Sequence, residues 1–435
     1  MDKKSQAVEA TRALIFSEAF RSLHRMTDKA FTRNRCLTFA LVIVLILRKS
    51  MKSLQLTLNE LTVWLSEPPV TASAYSQARY RLKHEAFIGL NRKAVAGTVY
   101  GDGDYRTFWG FRVLAVDGSK IALPDTEEVR EEFGTIAYSS GKAGGIQGER
   151  PYALASVMYD VLNRVAVDAA LGRADAYEVD LAVAHLAHTL PTDLVLHDRN
   201  YPSYRMIAEH SRSSRHFAIR CPAASFKEAR RMLRGEGPDS LIVELTPCAG
   251  QRGRIRGLGL PESVKVRFVR VLLSTGEWEV PVTSLLDEGR YPTEEFRKLR
   301  NHRRGVETFY GVLKTRLGLE NFTGNGAEAV KQDFHAAVFL SGMESILTGP
   351  AQAALAEKET AHPQQVNRMV SFHAIKDRAF DLLLGGGDTA SMVEQLTELF
   401  LTNPTVARKE RNPPRKKTSD RALLDFHKRQ KKHCF

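Results

Sequence analysis

Glu307 stands in the stretch RNHRRGVETFYGVLKTRLGLENFTG, residues 300–324, among Arg300, Arg303, Arg304, Lys314 and Arg316. On one continuous helix at about 100° per residue, Arg303 lies roughly 40° to one side of Glu307, Lys314 roughly 20° to that same side and Arg300 roughly 20° to the other. Val306, Phe309, Leu313 and Leu317 form a separate apolar face. A carboxylate in such a stripe can hold a divalent metal while its cationic neighbours hold phosphate. The same stripe also reads as a solvated face with ion pairs stabilising by ~0.2–0.5 kcal/mol each. Two further acids bear on the choice, because Asp117 and Asp198 each close an apolar run and precede turn-forming residues, DGS and DRNYP. Three carboxylates at one edge suit hard cations that prefer oxygen ligands. Two such ions about 3.5–4 Å apart would activate water on one side of a phosphorus and stabilise the leaving oxygen on the other. Arg303 and Lys314 would then bind the flanking phosphates, with Arg199 and Arg300 as further DNA contacts. Each aspartate also has a purely structural role open to it: Asp117 can form a turn with Gly118, and Asp198 can cap a helix beginning near Ser203.

The elements that must position these groups follow from periodicity. From Phe111 the pattern is of strands: FRVLAVDGSKIAL, then ALASVMYDV and NRVAVDAALGR as a hairpin joined at Leu162-Asn163. A helix over 177–190, the buried strand DLVLHD, the helix SYRMIAEHSR and the strand HFAIRCP follow. This predicts an α/β fold with a mixed sheet flanked by helices, and strand ends in such sheets are where sites form. Residues 222–290 read as a β-rich insertion, with VKVRFVRVLLS and GEWEVPVTSLL as strands. The expected organisation is a helical region over 1–95 that could bind DNA ends, a first catalytic part over 96–221, the insertion over 222–290, a second catalytic part with the Glu307 helix over 291–350, and a helical region with a basic tail over 351–435. TASAYSQARYRL predicts a helix capped by Thr71 or Ser73 and carrying Arg79, Arg81 and Lys83. That helix fits either a DNA-binding helix pair or a solvated surface.

Composition narrows the partners. The 435 residues hold 63 Lys+Arg against 50 Asp+Glu, a net charge of +13 that favours polyanions such as nucleic acid. More than half of that excess lies between Arg408 and Lys432, where eleven cations face Glu410, Asp420 and Asp425. Four scattered cysteines without ligand spacing imply neither a disulfide framework nor zinc, and they suit a reducing cytoplasm. The run Leu37–Leu47 is eleven residues, too short to span a bilayer, and predicts a buried helix. Gly134 and Gly141-Lys142 lack phosphate-loop spacing, Gly141–Gly145 reads as a mobile loop, and no HExxH is present. His197 points to the strand face opposite Asp198 and reads as a core residue or as one that supports the site from behind.

Taken together, the chain resembles the DDE transposases of the insertion-sequence-four family. The DG[ST] motif is matched by Asp117-Gly118-Ser119 and the DRGY-like motif by Asp198-Arg199-Asn200-Tyr201. The Y-x2-R-x3-E-x6-K signature is matched by Arg303, Glu307 and Lys314, and RLGLENFTG follows it. The resemblance covers about Phe111 to Leu347. Arg300 stands at the signature's tyrosine position, and Asn200 replaces a glycine, which asparagine can do at a left-handed turn. The resemblance implies a ribonuclease-H-like catalytic domain in which Asp117, Asp198 and Glu307 bind two Mg²⁺ ions, with Mn²⁺ able to substitute. It implies a transposase acting on double-stranded DNA, at the inverted-repeat ends of its own element and at target DNA, as a homodimer assembled on the DNA, in the bacterial cytoplasm with no membrane partner. A metal-dependent nuclease of the same fold and a catalytically dead DNA-binding regulator are the alternatives. In some members an aromatic of the insertion holds a flipped base, which makes Trp278 a candidate for that role alongside a core position.

Overall fold

A computed structural model describes residues 2–33, 36–50, 52–138 and 148–407, so Gly141–Gly145 and the basic tail from Arg408 lie outside the described residues. The chain divides into two compact units, one of residues 1–104, 121–153 and 311–435, the other of residues 105–120 and 154–310.

The second unit is built on a mixed sheet. Its strands are β1 (Arg112–Ala122), β3 (Gly148–Asp160), β4 (Val165–Arg173), β5 (Asp193–His197) and β6 (His216–Cys221), then β7 (Ser240–Leu245), β8 (Val264–Val269), β9 (Val271–Leu272) and β10 (Trp278–Thr283). The short β2 (Thr135–Tyr138) belongs to the first unit, where it pairs antiparallel with the start of β3, Thr135 opposite Pro151. From β4 the order runs β4-β3-β1-β5-β6-β10-β8-β7, with β9 beside β10. β1, β5 and β6 are parallel, and β10 returns antiparallel between β6 and β8. This is a ribonuclease-H-like sheet flanked by helices, and the strands of the insertion continue it rather than forming a separate layer.

Central strands buried on both faces read as unbroken apolar runs, as Val113–Val116 and Leu194–Leu196 do. Their relative register is fixed at the end remote from Asp117. There the buried Arg112 guanidinium grips Asp193 through Nε–Oδ1 and Nη2–Oδ2, each 2.7 Å. Arg112 lies opposite Asp193 and Ala115 opposite Leu196, so continuing the register by two residues sets Asp117 opposite Asp198.

The first unit is helical apart from short strands. The apolar run forms the helix Phe39–Leu47, every residue of it buried, and no described helix is long and apolar enough to cross a membrane. Thr71 caps the helix Ala72–Arg79 by accepting from Ala74 N at 3.1 Å. Arg79 does not face outwards from that helix: it is 5% exposed and bound to Asp333.

Candidate active site

Asp117 does not sit in a turn. β1 runs on to Ala122, and Gly118 does not adopt a positive φ. A Cβ at 118 would overlap the Glu178 carboxylate and stand 3.0 Å from its Cγ, so a larger residue there would displace that side chain. Nor does Asp198 cap the following helix, whose cap is Ser203, accepting from Met206 N at 3.2 Å. Asn200 is likewise not left-handed. The structural roles open to both aspartates from sequence are therefore absent.

The Glu307 helix runs Phe296–Thr315. It buries Leu299, Val306, Phe309, Tyr310 and Leu313, as the apolar stripe predicts. Gly305 lets it approach the β3–β4 turn, since a Cβ there would lie 3.1 Å from Val161 Cβ. A glycine within a helix costs about 1 kcal/mol, which the close packing offsets. The buried Tyr310 hydroxyl donates to Asp117 O and Ala155 O, each at 3.0 Å, pinning this helix beside the strand that carries Asp117.

Arg303 joins two of the three acids. Its Nη2 lies 3.0 Å from Asp198 Oδ2 and 3.1 Å from Glu307 Oε1. Glu279, which the sequence did not single out, adds a fourth carboxylate. It is 7% exposed and binds Arg220 Nε at 2.8 Å and Arg300 Nε at 3.1 Å. Burial raises its pKa, opposed chiefly by Arg220 and Arg300. Arg220 Nη1 also lies 3.9 Å from Asp198 Oδ1, beyond hydrogen-bonding reach. That oxygen is buried and makes no hydrogen bond.

Asp117, Asp198, Glu178, Glu279 and Glu307 thus face Arg220, Arg300 and Arg303: five carboxylates against three guanidiniums, a net of −2 when all are ionised. That surplus favours divalent cations. Asp117, Asp198 and Glu307 do not have ligand atoms all within 4.8 Å of one another, and two of them share the Arg303 guanidinium. Among the described residues the group that is so close, His84, Glu85 and Glu328, lies in the first unit. It is explained as an ion pair at a helix start, with Glu328 also accepting from His84 N.

Burial, and then the charges of Asp198 and Glu178, push Asp117 up to about 6 against the pull of Arg303. A metal ligand must be deprotonated, so binding weakens as protons compete. Mn²⁺ affinity of the whole protein is expected to be flat above pH 7 and to fall up to about tenfold per unit below pH 6. Calorimetric titration between pH 5 and 8 checks this, and a flat profile across that range would remove Asp117 from the ligand set.

Of the other expected residues, Arg300 joins the cluster and the rest lie apart from it. Arg199 is exposed. Arg300 is held by Glu279. Lys314 falls in the first unit, its Nζ 3.7 Å from Glu320 Oε1. Trp278 is 39% exposed, so it is not a core tryptophan, and Arg270 lies 4.9 Å above its ring. Alternation along β10 turns it away from the face on which Glu279 meets Arg220 and Arg300. His197 is buried as expected, its Nε2 2.9 Å from His210 Nε2, and burial lowers the pKa of both rings. Ser156, His185 and Asp168 are linked at 3.0 and 2.7 Å in the order of a nucleophilic triad. Ser156 is 0% exposed, so no substrate reaches it.

A ribonuclease-H-like sheet that brings acids of two adjacent parallel strands and of a flanking helix against guanidiniums defines the class of domain. The sequence profile of the family described as transposase DDE domain matches residues 109–341, and the chain belongs to that family. Transposase InsG for insertion sequence element IS4 of Escherichia coli (strain K12) is 26% identical over 271 residues, 61% of this chain. The chain spans 58% of that relative's length. A solved piggyBac transposase synaptic complex with hairpin DNA aligns with 97% of this chain and 86% of its own, at TM-score 0.42 and 8% identity.

Proposed function

We propose that the chain is a DNA transposase that binds the inverted-repeat ends of its own element as a homodimer and cuts and joins phosphodiester bonds there. The observation that carries this reading is the bridge from Asp198 through Arg303 to Glu307, with Asp117 on the strand β1 that lies beside β5, within the matched segment. Asp117, Asp198 and Glu307 would hold the Mg²⁺ ions on which such chemistry depends. The donor set fits: it is all oxygen, it carries surplus negative charge, and Asp198 Oδ1 is a buried acceptor without a hydrogen bond. Bound there, the ions would activate water and stabilise the leaving oxygen.

The chain's own residues have separate tasks. Arg112–Asp193 sets the strand register that pairs the two aspartates, and Tyr310 fixes the Glu307 helix against β1. Arg303, with Arg199, Arg300 and Lys314 as further candidates, would meet the phosphates near the scissile bond. A plasmid carrying the gene with its flanking DNA tests the reading. Mg²⁺-dependent release of the flanked segment and its joining to a second plasmid are expected. Cleavage without joining would favour a nuclease, and binding without cleavage a regulator.

Arg303→Ala is expected to weaken binding to that flanking DNA. It should also make the slope of log affinity against log salt shallower by about one. An unchanged slope in a filter-binding series at several salt concentrations would mean that Arg303 serves only its two carboxylates.

A further inference from the structure

Arg303 stands four residues before Glu307 on one helix, and exposed ion pairs at that spacing are ordinary and weak. This guanidinium is neither exposed nor confined to its own helix. The Arg303 side chain is 12% exposed, and its Nη2 reaches across to Asp198 Oδ2 at 3.0 Å while lying 3.1 Å from Glu307 Oε1. Its Nη1 adds a second bond to the same Glu307 oxygen at 3.2 Å. Both terminal nitrogens are thus committed to carboxylates. Arg303 acts on the third acid as well: burial raises the Asp117 carboxyl to about 6, and Arg303 is the leading charge that opposes the rise. The neighbouring guanidiniums are used differently. Arg300 is held by Glu279, and Arg220 binds Glu279 at 2.8 Å while staying 3.9 Å from Asp198 Oδ1.

The oxygens that Arg303 holds belong to two of the acids that a divalent cation would need, so the ion must come in against a positive charge in contact with both. In a partly buried cleft such a charge opposes the ion far more strongly than it would in water. The same geometry keeps phosphate away from Arg303, whose terminal nitrogens are taken until the carboxylates release them. A DNA phosphate is the competitor able to draw it off, because guanidinium pairs with phosphate as it does with carboxylate. Among the described residues, that transfer leaves Glu307 with no ion pair and Asp198 with Arg220 alone. The negative charge uncovered in this way is what a divalent cation requires.

We propose that Arg303 couples DNA binding to cation binding: in the DNA-free protein it holds Asp198 and Glu307 in the cation's place, and a DNA phosphate draws it off. The inference rests on the proposed cation site and adds to it an order of events, in which tight cation binding waits for DNA. The two ligands then favour one another, and by linkage each must tighten the other by the same factor.

The test is Mn²⁺ binding to the full-length protein without DNA, read by titration calorimetry and by loss of the free-ion paramagnetic resonance signal. Arg303→Gln, which keeps a donor and drops the charge, is expected to bind Mn²⁺ tighter than the parent by about tenfold or more, opposite in sign to the loss in Asp198→Asn. Arg303→Lys, which keeps the charge, should stay within about threefold of the parent. Arg300→Gln removes the same charge from a residue that touches neither acid, and should change the affinity by less than about threefold. In the parent, Mn²⁺ should also tighten binding to a duplex of the flanking DNA by about tenfold at constant ionic strength, read by filter binding, and this gain should vanish in Arg303→Gln. Thermal melting without metal monitors folding. If Arg303→Gln is folded and binds Mn²⁺ no tighter than the parent while Asp198→Asn loses the site, the coupling is overturned and the cation site stands. If neither the parent nor Arg303→Gln binds Mn²⁺, the site reading fails and this inference with it. If Arg303→Gln does not fold, the parent decides: a gain in DNA affinity with Mn²⁺ supports the coupling, and an unchanged affinity overturns it.

Discussion

Asp117→Asn, Asp198→Asn and Glu307→Gln should each reduce DNA cleavage and joining by at least about three orders of magnitude while leaving binding to the flanking DNA nearly intact. The expectation follows from what metal ligands supply. Removing the charge that positions an ion removes activation of the attacking water and stabilisation of the leaving oxygen together. Each amide is close to isosteric, so the fold should survive. Asp117→Asn carries an added signature. Its carboxyl is raised to about 6 from an ordinary 3.8, so the folded protein prefers it protonated. Stability from that preference is present below the unfolded value and lost as pH rises through 6. At pH 7 the ionised group therefore destabilises the metal-free fold by up to roughly 3 kcal/mol. Asparagine mimics the protonated acid, so the metal-free variant should melt higher than the parent at pH 7 even as its chemistry disappears. Near-normal cleavage by any of the three variants would exclude that residue as an essential ligand. A lower melting point for Asp117→Asn would contradict the electrostatic account of its site.

The three proposed acids stand out in the sequence because each leaves a local mark. Asp117 and Asp198 follow apolar runs that must be buried strands, and Glu307 shares one helical face with Arg300 and Arg303. The strands themselves were legible for the same reason. What could not be read is set by non-local pairing. Glu279 and Glu277 flank Trp278 alike in sequence. Which of them faces Asp198 depends on β10 docking between β6 and β8, with Val280 opposite Cys221. Glu178 looks like any acid at a helix start, and nothing local says that a glycine sixty residues earlier will lie beneath it. Gly118 itself misled for a related reason: glycine usually punctuates a strand, whereas here it clears space inside one. The break between β8 and β9 at Arg270, and the helix Ala249–Gly257 in the segment QRGRIRG, also escaped a reading by periodicity.

Arg79 is the case in which charge in the sequence points away from its use. In TASAYSQARYRL it reads as part of a basic face, yet its Nη2 lies 2.7 Å from Asp333 Oδ1 and 2.9 Å from Ala329 O. Its Nε donates to Gln332 Oε1 at 2.7 Å and its Nη1 to Thr323 Oγ1 at 2.5 Å. Asp333 has a fully buried side chain and is further held by Thr323 N at 2.6 Å. Arg79→Met keeps most of the volume and removes the cation that binds that carboxylate directly, leaving Lys49 as a more weakly acting one. Breaking one side of a buried pair costs about 3–5 kcal/mol, and urea denaturation should read a loss of that size. The second variant decides the cause. Replacing both partners of a buried pair by apolar residues is often close to neutral, so Arg79→Met with Asp333→Leu should recover most of the loss. DNA binding measured at a temperature where the single variant is folded should be unchanged, since the charge removed faces inwards. A loss below about 1 kcal/mol, or a double variant no better than the single, would mean that Arg79 acts through its contacts to Gln332 and Ala329 rather than by neutralising Asp333.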